Sequence, residues 1–193
     1  VSLVGYTNAG KSTIMNQVLR LSNNDNEVFV KDMLFATLDT YTRNIDLKDT
    51  PNFLLSDTIG FINNLHHTLI EAFKSTLSEV RDSNLLLHVI DISNPNHLKQ
   101  KEITLNTLKE IGADDIPIIE VFNKSDLLED AIVYPDGINI SALKATDIER
   151  LLNIIKETIL KTYVKQTVFI PYDEGALVDE LFSNKLTTII KKD

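Results

Sequence analysis

Short, nearly unbroken apolar runs alternate along the chain with stretches in which apolar residues recur every three or four positions. The first kind predicts buried strands at 1–4, 42–47, 52–57, 84–91, 116–123 and 137–140. The run "NLLLHVID" is almost continuously apolar, as expected of a parallel strand covered on both faces. Between Thr42 and Asp57 there is room only for a hairpin, so one strand should run antiparallel to the rest. The second kind predicts helices. Thr68 and Glu71 form a capping-box pattern ahead of Leu69, Phe73, Leu77 and Val80. Asn94-Pro95 opens another helix and Gly112 closes it. Thr146 and Glu149 repeat the capping-box spacing before the stripe Ile148, Leu151, Leu152, Ile155 and Ile159. Strands alternating with helices predict an open α/β sheet with ligands at the carboxyl ends of its strands.

The pattern breaks twice. "LSNNDNEVFVKDMLFATLDT" has no periodicity and predicts a mobile loop. Beyond Thr162 the order reads strand, turn, short helix, strand, in a stretch too short to bury a core alone. The expected organisation is therefore one domain over 1–162 and a small α+β appendage, or the beginning of a further domain, over 163–193. A buried strand at the first residues suggests that a natural chain extends upstream.

Composition narrows this only slightly. Hydrophobic residues are 43% and charged residues 24%, ordinary for a globular fold. No apolar run approaches the roughly 18 residues of a membrane span. The chain has no cysteine, so disulfides and thiolate metal sites are excluded. A net charge of -9 argues against a duplex binder acting through its whole surface.

Chemistry enters at "GYTNAGKST", where Gly5, Tyr6, Thr7, Asn8, Ala9, Gly10, Lys11, Ser12 and Thr13 match G-x-x-x-x-G-K-[ST] between a strand and a helix. Backbone N–H groups of such a loop curl around a β-phosphate, and the helix N-terminus adds positive potential. Lys11 would reach the β- and γ-phosphates, and Ser12 would ligate Mg²⁺. In "SDTIGF", Asp57 would face the metal and Gly60 would sense the γ-phosphate, with Thr58 and Ile59 between them. Thr37, with Phe35, Ala36, Leu38 and Asp39 around it, is the expected second Mg²⁺ ligand in the loop that closes over the nucleotide. In "NKSD", Asn123, Lys124, Ser125 and Asp126 end a strand. A carboxylate there accepts from guanine N1–H and the 2-amino group together, and adenine offers neither donor. Ser141, Ala142 and Leu143 follow the last strand, where the Ala142 N–H could meet guanine O6. Taken in order, the motifs specify GTP or GDP with Mg²⁺. The expected catalytic group is Asn8, Lys11, Thr37 and Gly60.

The whole set is that of a translation-factor-related GTPase. "GYTNAGKST", "LFATLDT" with Arg43, "LSDTIGFI", "AFKSTLSEVRDSNLLLHVID" and "FIPYDEGALV" more narrowly resemble the HflX family. The resemblance implies a Ras-like P-loop G domain, with a six-stranded, mostly parallel sheet containing one antiparallel strand. It also implies a C-terminal appendage, an N-terminal domain outside this sequence, a monomer, and a bacterial cytoplasmic GTPase that binds the large ribosomal subunit and splits or rescues ribosomes. Three features depart from the family pattern. Thr40-Tyr41 stand where Pro-Thr is common, Leu143 where lysine is usual, and Glu120 puts a charge in an apolar strand.

Phe61 poses the chemical question, because the residue after Gly60 often handles the attacking water and a phenyl ring cannot. Relatives with this feature, as a class, turn over slowly alone. Asn8 is one resource. Its P-loop resembles those of potassium-dependent GTPases; the equal alternative is an asparagine that braces its own turn. His66 and His67 are a second resource, and a ribosome that orders the loop is a third. His88 reads as a packed or edge-facing strand residue. Two rival functions stand beside a ribosome-activated GTPase. One is a binding module read by its nucleotide state; the other is a ribosome-assembly or tRNA-modifying GTPase.

Overall fold

The computed structural model describes residues 1–22, 41–47, 51–58, 60–61, 80–128, 134–164, 166–167, 169–171 and 174–183. Six strands form one sheet: β1 (Ser2–Gly5), β2 (Tyr41–Ile45), β3 (Phe53–Asp57), β4 (Leu86–Asp91), β5 (Ile118–Asn123) and β6 (Ile138–Asn139). Their spatial order is β2-β3-β1-β4-β5-β6. Only β2 and β3 pair antiparallel among these strands, through Tyr41 opposite Asp57 to Ile45 opposite Phe53. All six expected strands form, with ends shifted by a residue or two. Four helices accompany them among the described residues: α1 (Lys11–Leu21), α2 (His97–Glu110), α3 (Ala145–Leu160) and α4 (Gly175–Ser183).

Strand alternation sorts side chains onto two faces. Leu3, Leu85, Leu87, Val89 and Val121 point to the face covered by α1 and α3, which contribute Ile14, Met15, Val18 and Leu19, and Ile148, Leu151, Leu152 and Ile155. Ile159, the last residue of the expected stripe, packs on this core while partly exposed. Val4 and Leu86 point to the opposite face and pack with Leu108, Ala113, Val80 and Phe61. A third cluster, Ile90, Ile92 and Phe122, lies at the carboxyl end of the sheet.

Helix ends differ from the expected caps. The α2 helix starts at His97 with Asn96 at its cap position, and Asn94 instead accepts from the Asn96 N–H at 2.9 Å in a local turn. Gly112 ends it as expected, at φ 71, with Ala113 N–H reaching back to Leu108 O at 2.9 Å. The Thr146–Glu149 capping box does not form. Lys144 occupies the cap without a side-chain bond, and Thr146 is already inside the helix. Asp147 supplies the carboxylate instead, accepting from Ser141 N–H at 2.8 Å and so fastening the preceding turn. Beyond 162, residues 166–167 and 169–171 are not strand, and Phe169 is 90% exposed there. The second strand expected in this stretch, the loop over 23–40, and the Thr68 capping box with Leu69, Phe73 and Leu77 lie outside the described residues, as do His66 and His67.

Two titratable side chains, Glu120 and His88, face each other across neighbouring strands of the sheet. Glu120 finds its partner in Lys101 of α2, whose Nζ lies 2.6 Å from the carboxylate. His88 faces Glu120 across the β4–β5 ladder and is 1% exposed. It is packed, as one reading had it, but in a central strand and not at an edge. Burial pushes its pKa down to about 4, and the Lys101 and Lys11 charges push the same way. In the unfolded chain the ring takes a proton near its ordinary value of 6.5. Between those values the unfolded chain binds more protons, so stability falls as pH falls from 6.5 toward 4. We expect this ring to contribute a loss of about 2 kcal/mol between pH 7 and pH 5. Chemical denaturation of wild type and His88→Leu at both pH values checks it; the variant should lose less, and parallel losses would contradict the assignment.

Candidate functional site

The carboxyl ends of β1, β3, β4, β5 and β6 bring together loops far apart in sequence, at the edge where open α/β sheets hold ligands. The loop after β1 turns sharply enough that Asn8 and Gly10 are left-handed, at φ 61 and φ 100. Gly10 also has no room for a side chain, since a Cβ would stand 2.2 Å from Asn123 Nδ2. It caps α1 without a side-chain bond, and α1 has no acid in its first turn. The N–H groups that open a helix carry positive potential and lack intrahelical partners, which suits a phosphate.

Lys11 is 6% exposed and folds back over this loop, donating to Gly5 O at 3.1 Å and Tyr6 O at 3.0 Å. Burial lowers its pKa from 10.5 to about 8, while the Asp57 charge opposes the shift. At neutral pH the ammonium is therefore mostly retained, and an arriving phosphate would favour it further. Ser12 Oγ donates to Asp57 Oδ2 at 2.5 Å. A hydroxyl oxygen and a carboxylate oxygen, both hard donors, thus converge beside the loop, the donor type that Mg²⁺ takes together with phosphate oxygens. The residues fit the ion. Bound there, it would neutralise charge on the β- and γ-phosphates.

The stretch after β3 is tied to the P-loop by its backbone. Thr58 Oγ1 donates inward to Leu3 O at 2.6 Å. A Cβ on Gly60 would stand 2.7 Å from Thr7 Cα, so glycine is required where the two segments touch. Phe61 N–H donates to Gly5 O at 3.0 Å, and Phe61 O accepts from Thr7 N–H at 2.9 Å. This extends the sheet through a parallel bridge between Tyr6 and Phe61. The Phe61 ring is 2% exposed and packs with Val4, Val80, Leu86, Leu108 and Ala113. The position that often handles water is here a core residue.

The base end is closed by Asn123. It is 1% exposed, donates through Nδ2 to Ala9 O at 2.8 Å and accepts through Oδ1 from Ala142 N–H at 2.9 Å. The Ala142 N–H expected for guanine O6 is therefore already engaged, and a base carbonyl would have to share it. Asn123 holds loops together; Asp126 is exposed on the 3₁₀ turn Ser125–Leu127. Ser141 is buried, accepting through Oγ from Leu143 N–H at 3.3 Å, while the Leu143 side chain is 72% exposed. Behind the turn, Tyr134 stacks on Phe122 at 4.0 Å and 12°. Since His97 Nδ1–H donates to Asn94 O at 2.8 Å, its Nε2 accepts from the Tyr134 hydroxyl at 2.7 Å.

The structure thus brings Gly5, Tyr6, Thr7, Ala9, Gly10, Lys11, Ser12, Asp57, Gly60, Asn123 and Ala142 together. Asn8 is exposed, and its left-handed backbone, which asparagine tolerates, accounts for the residue by itself. Phe35, Ala36, Thr37, Leu38, Asp39 and Ile59 lie outside the described residues. Among the described residues no cluster of three His, Asp or Glu side chains forms a metal site. Sequence reasoning missed Asp91, His97 and Tyr134. Only Asp91 carried a signal, an acid at the carboxyl end of a buried strand.

Fold and site define a P-loop nucleotide-binding protein with a Ras-like sheet. The chain belongs to the family of 50S ribosome-binding GTPases, whose model matches residues 1–124. The HflX resemblance is borne out by curated relatives. GTPase HflX of Gluconacetobacter diazotrophicus is 40% identical over 190 residues, covering 95% of this chain and 41% of the relative. GTPase HflX of Escherichia coli is 40% identical over 185 residues, 92% and 42% of the two chains. The chain spans about two fifths of the length of these relatives. Among solved structures, a GTP-binding protein from Sulfolobus solfataricus in complex with GDP is 25% identical with a TM-score of 0.61, over 84% of this chain and 52% of its own. An Era variant from Aquifex aeolicus bound to GDP.AlF4- shares the fold, with a TM-score of 0.64 at 23% identity over 89% and 59% of the two chains.

Because Phe61 belongs to the core, Phe61→Gln should destabilise the fold by about 3 kcal/mol, from lost burial and an amide placed among apolar neighbours. It should not quicken hydrolysis, since the side chain points into the sheet face. Urea unfolding together with single-turnover phosphate release reads both; a stable, faster variant would mean that the ring leaves the core.

Proposed function

We propose that this chain binds GTP and GDP with Mg²⁺ and hydrolyses GTP slowly unless a partner completes the site. The reading is carried by the convergence of Lys11, the Ser12–Asp57 oxygens and the Asn123-bridged loops on one rim of the sheet. Family membership supports it. In this reading Lys11 neutralises the β- and γ-phosphates, Ser12, Asp57 and Thr37 hold Mg²⁺, and Gly60 reports the γ-phosphate. Asp126 reads guanine, beneath a cover formed by Ser141, Ala142 and Leu143.

With Phe61 in the core, no side chain immediately after Gly60 is available to orient water. The missing group comes from outside this motif: a monovalent cation held by Asn8, or a partner. Membership of the family of 50S ribosome-binding GTPases supports the large ribosomal subunit as that partner. Splitting or rescue of ribosomes, a cytoplasmic setting, a monomeric state and a separate unit over 163–193 belong to the same reading. No helix among the described residues is long and apolar enough to cross a membrane.

Two measurements test it. Asp126→Asn should weaken GTP and move preference toward XTP, because xanthine replaces the 2-amino donor with a carbonyl that an amide can satisfy. Equal loss of both nucleotides would remove Asp126 as base reader. Single-turnover phosphate release should be slow in sodium, faster in potassium if Asn8 holds a cation, and faster again with large ribosomal subunits. A fast rate indifferent to salt and to ribosomes would show that the chain already holds a complete catalytic set. A rate that stays slow in every condition would favour a binding module read by its nucleotide state.

A further inference from the structure

Asp91 ends β4 directly opposite Asn123 at the end of β5. The residue that follows the strand, Lys124, reaches back toward β4, and its Nζ lies 2.7 Å from Asp91 Oδ2. The other carboxylate oxygen is engaged from below: Asp91 Oδ1 accepts from Ser93 N–H at 3.0 Å and from Ser93 Oγ–H at 2.5 Å. The Asp91 side chain is 14% exposed, so this pair is shielded more than an ordinary surface ion pair. Its lysine occupies an unusual backbone position. Lys124 is left-handed at φ 65, a region that residues with a Cβ rarely adopt, and it caps the 3₁₀ turn Ser125–Leu127 without a side-chain cap bond.

The direction in which that turn leaves β5 determines where Asp126 points. One backbone bond steers the turn, Ser125 N–H to Ile140 O at 3.1 Å. The Asp91–Lys124 ion pair ties it to a second strand, β4. A left-handed residue has an alternative, relaxed backbone state available, and releasing the lysine makes that state cheaper to reach.

We propose that Asp91, held in place by Ser93, is a positioning residue for guanine selection: it grips Lys124, keeps residue 124 left-handed and so aims the Asp126 carboxylate. This rests on Asp126 being the base reader. The assignment gives a role to the acid that ends β4. The sequence reading left this residue without a role.

The test compares GTP with ITP, whose hypoxanthine keeps N1–H but lacks the 2-amino group. The GTP/ITP affinity ratio therefore reports how well a carboxylate faces both donors. Asp91→Asn keeps an oxygen for Ser93 and replaces the charge facing Lys124 with an amide. In the intact chain, fluorescent-nucleotide competition should show GTP weakened about tenfold and ITP about threefold, so that the ratio narrows. Ser93→Ala, which keeps the charge and removes one anchor, should narrow it less, and Asp91→Glu should restore part of it. If Asp91→Asn does not fold, the Ser93→Ala ratio decides alone. An unchanged ratio in the variants overturns the proposal even where overall affinity falls, because a merely structural role weakens both nucleotides alike. Asp126→Asn is measured beside them with XTP. If it fails to shift preference, the base-reader reading itself fails; if it shifts while the Asp91 and Ser93 ratios hold, only the positioning role is lost.

Discussion

A primary amide buried at 1% exposure must satisfy its oxygen and its nitrogen locally, and Asn123 does so with two different loops. Its nitrogen takes a carbonyl from the P-loop, 114 residues away, and its oxygen takes an N–H from the loop after β6. Shortening the side chain would strand a buried acceptor and a buried donor at once, each costing about 1–3 kcal/mol. Gly10 completes the arrangement by leaving the amide room that any Cβ would fill. The loop after β1, the turn after β5 and the loop after β6 are therefore one object. Each is a loop that would have many conformations alone, and the shared amide selects one for all three.

The phosphate end is built on the same economy of groups. Lys11 is buried and satisfied by two P-loop carbonyls, which aligns the ammonium before any anion arrives. Ser12 and Asp57, from a helix start and a strand end, meet at hydrogen-bond distance because β1 and β3 are neighbours in the sheet. The segment after β3 continues along the P-loop through Phe61, and its backbone bonds to Gly5 and Thr7 bring Gly60 against Thr7. Those bonds also fix the facing of residue 61. Once the backbone pairs with β1 in this register, the side chain must fall on the face of Val4 and Leu86, and an apolar ring is what that face accepts. The aromatic residue that looked like a missing catalytic group follows from strand geometry.

Much of this was legible in the chain. Periodicity located the six strands and the antiparallel pair, because burial on one or two faces imposes its period on the sequence. The glycine loop, Asp57 with Gly60, and Asn123 with Asp126 were legible because phosphate and guanine recognition demand fixed residue types at fixed spacing. Caps were read less well. Thr146 had the right spacing for a capping box, yet the helix begins at Ala145, ahead of it, and Asp147 instead takes the Ser141 N–H, a contact set by the fold of residues 141–144 and not by local pattern. Glu120 was unexplained until α2 brought Lys101 to it.

Sequence alone thus determined the order of elements and pointed to a class of ligand and to the side chains proposed to face it, since each depends on local spacing. Tertiary structure decided which of those groups are consumed in holding the site together. It spent the Asn123 amide and the Ala142 N–H on each other, put Phe61 in the core, and paired Lys124 with Asp91 across a ladder. Such partners are distant in sequence and carry no periodic signal. They come within reach only when parallel strands align their carboxyl ends, where hydrogen-bonding groups compete for few partners and the sheet's register selects which contacts form.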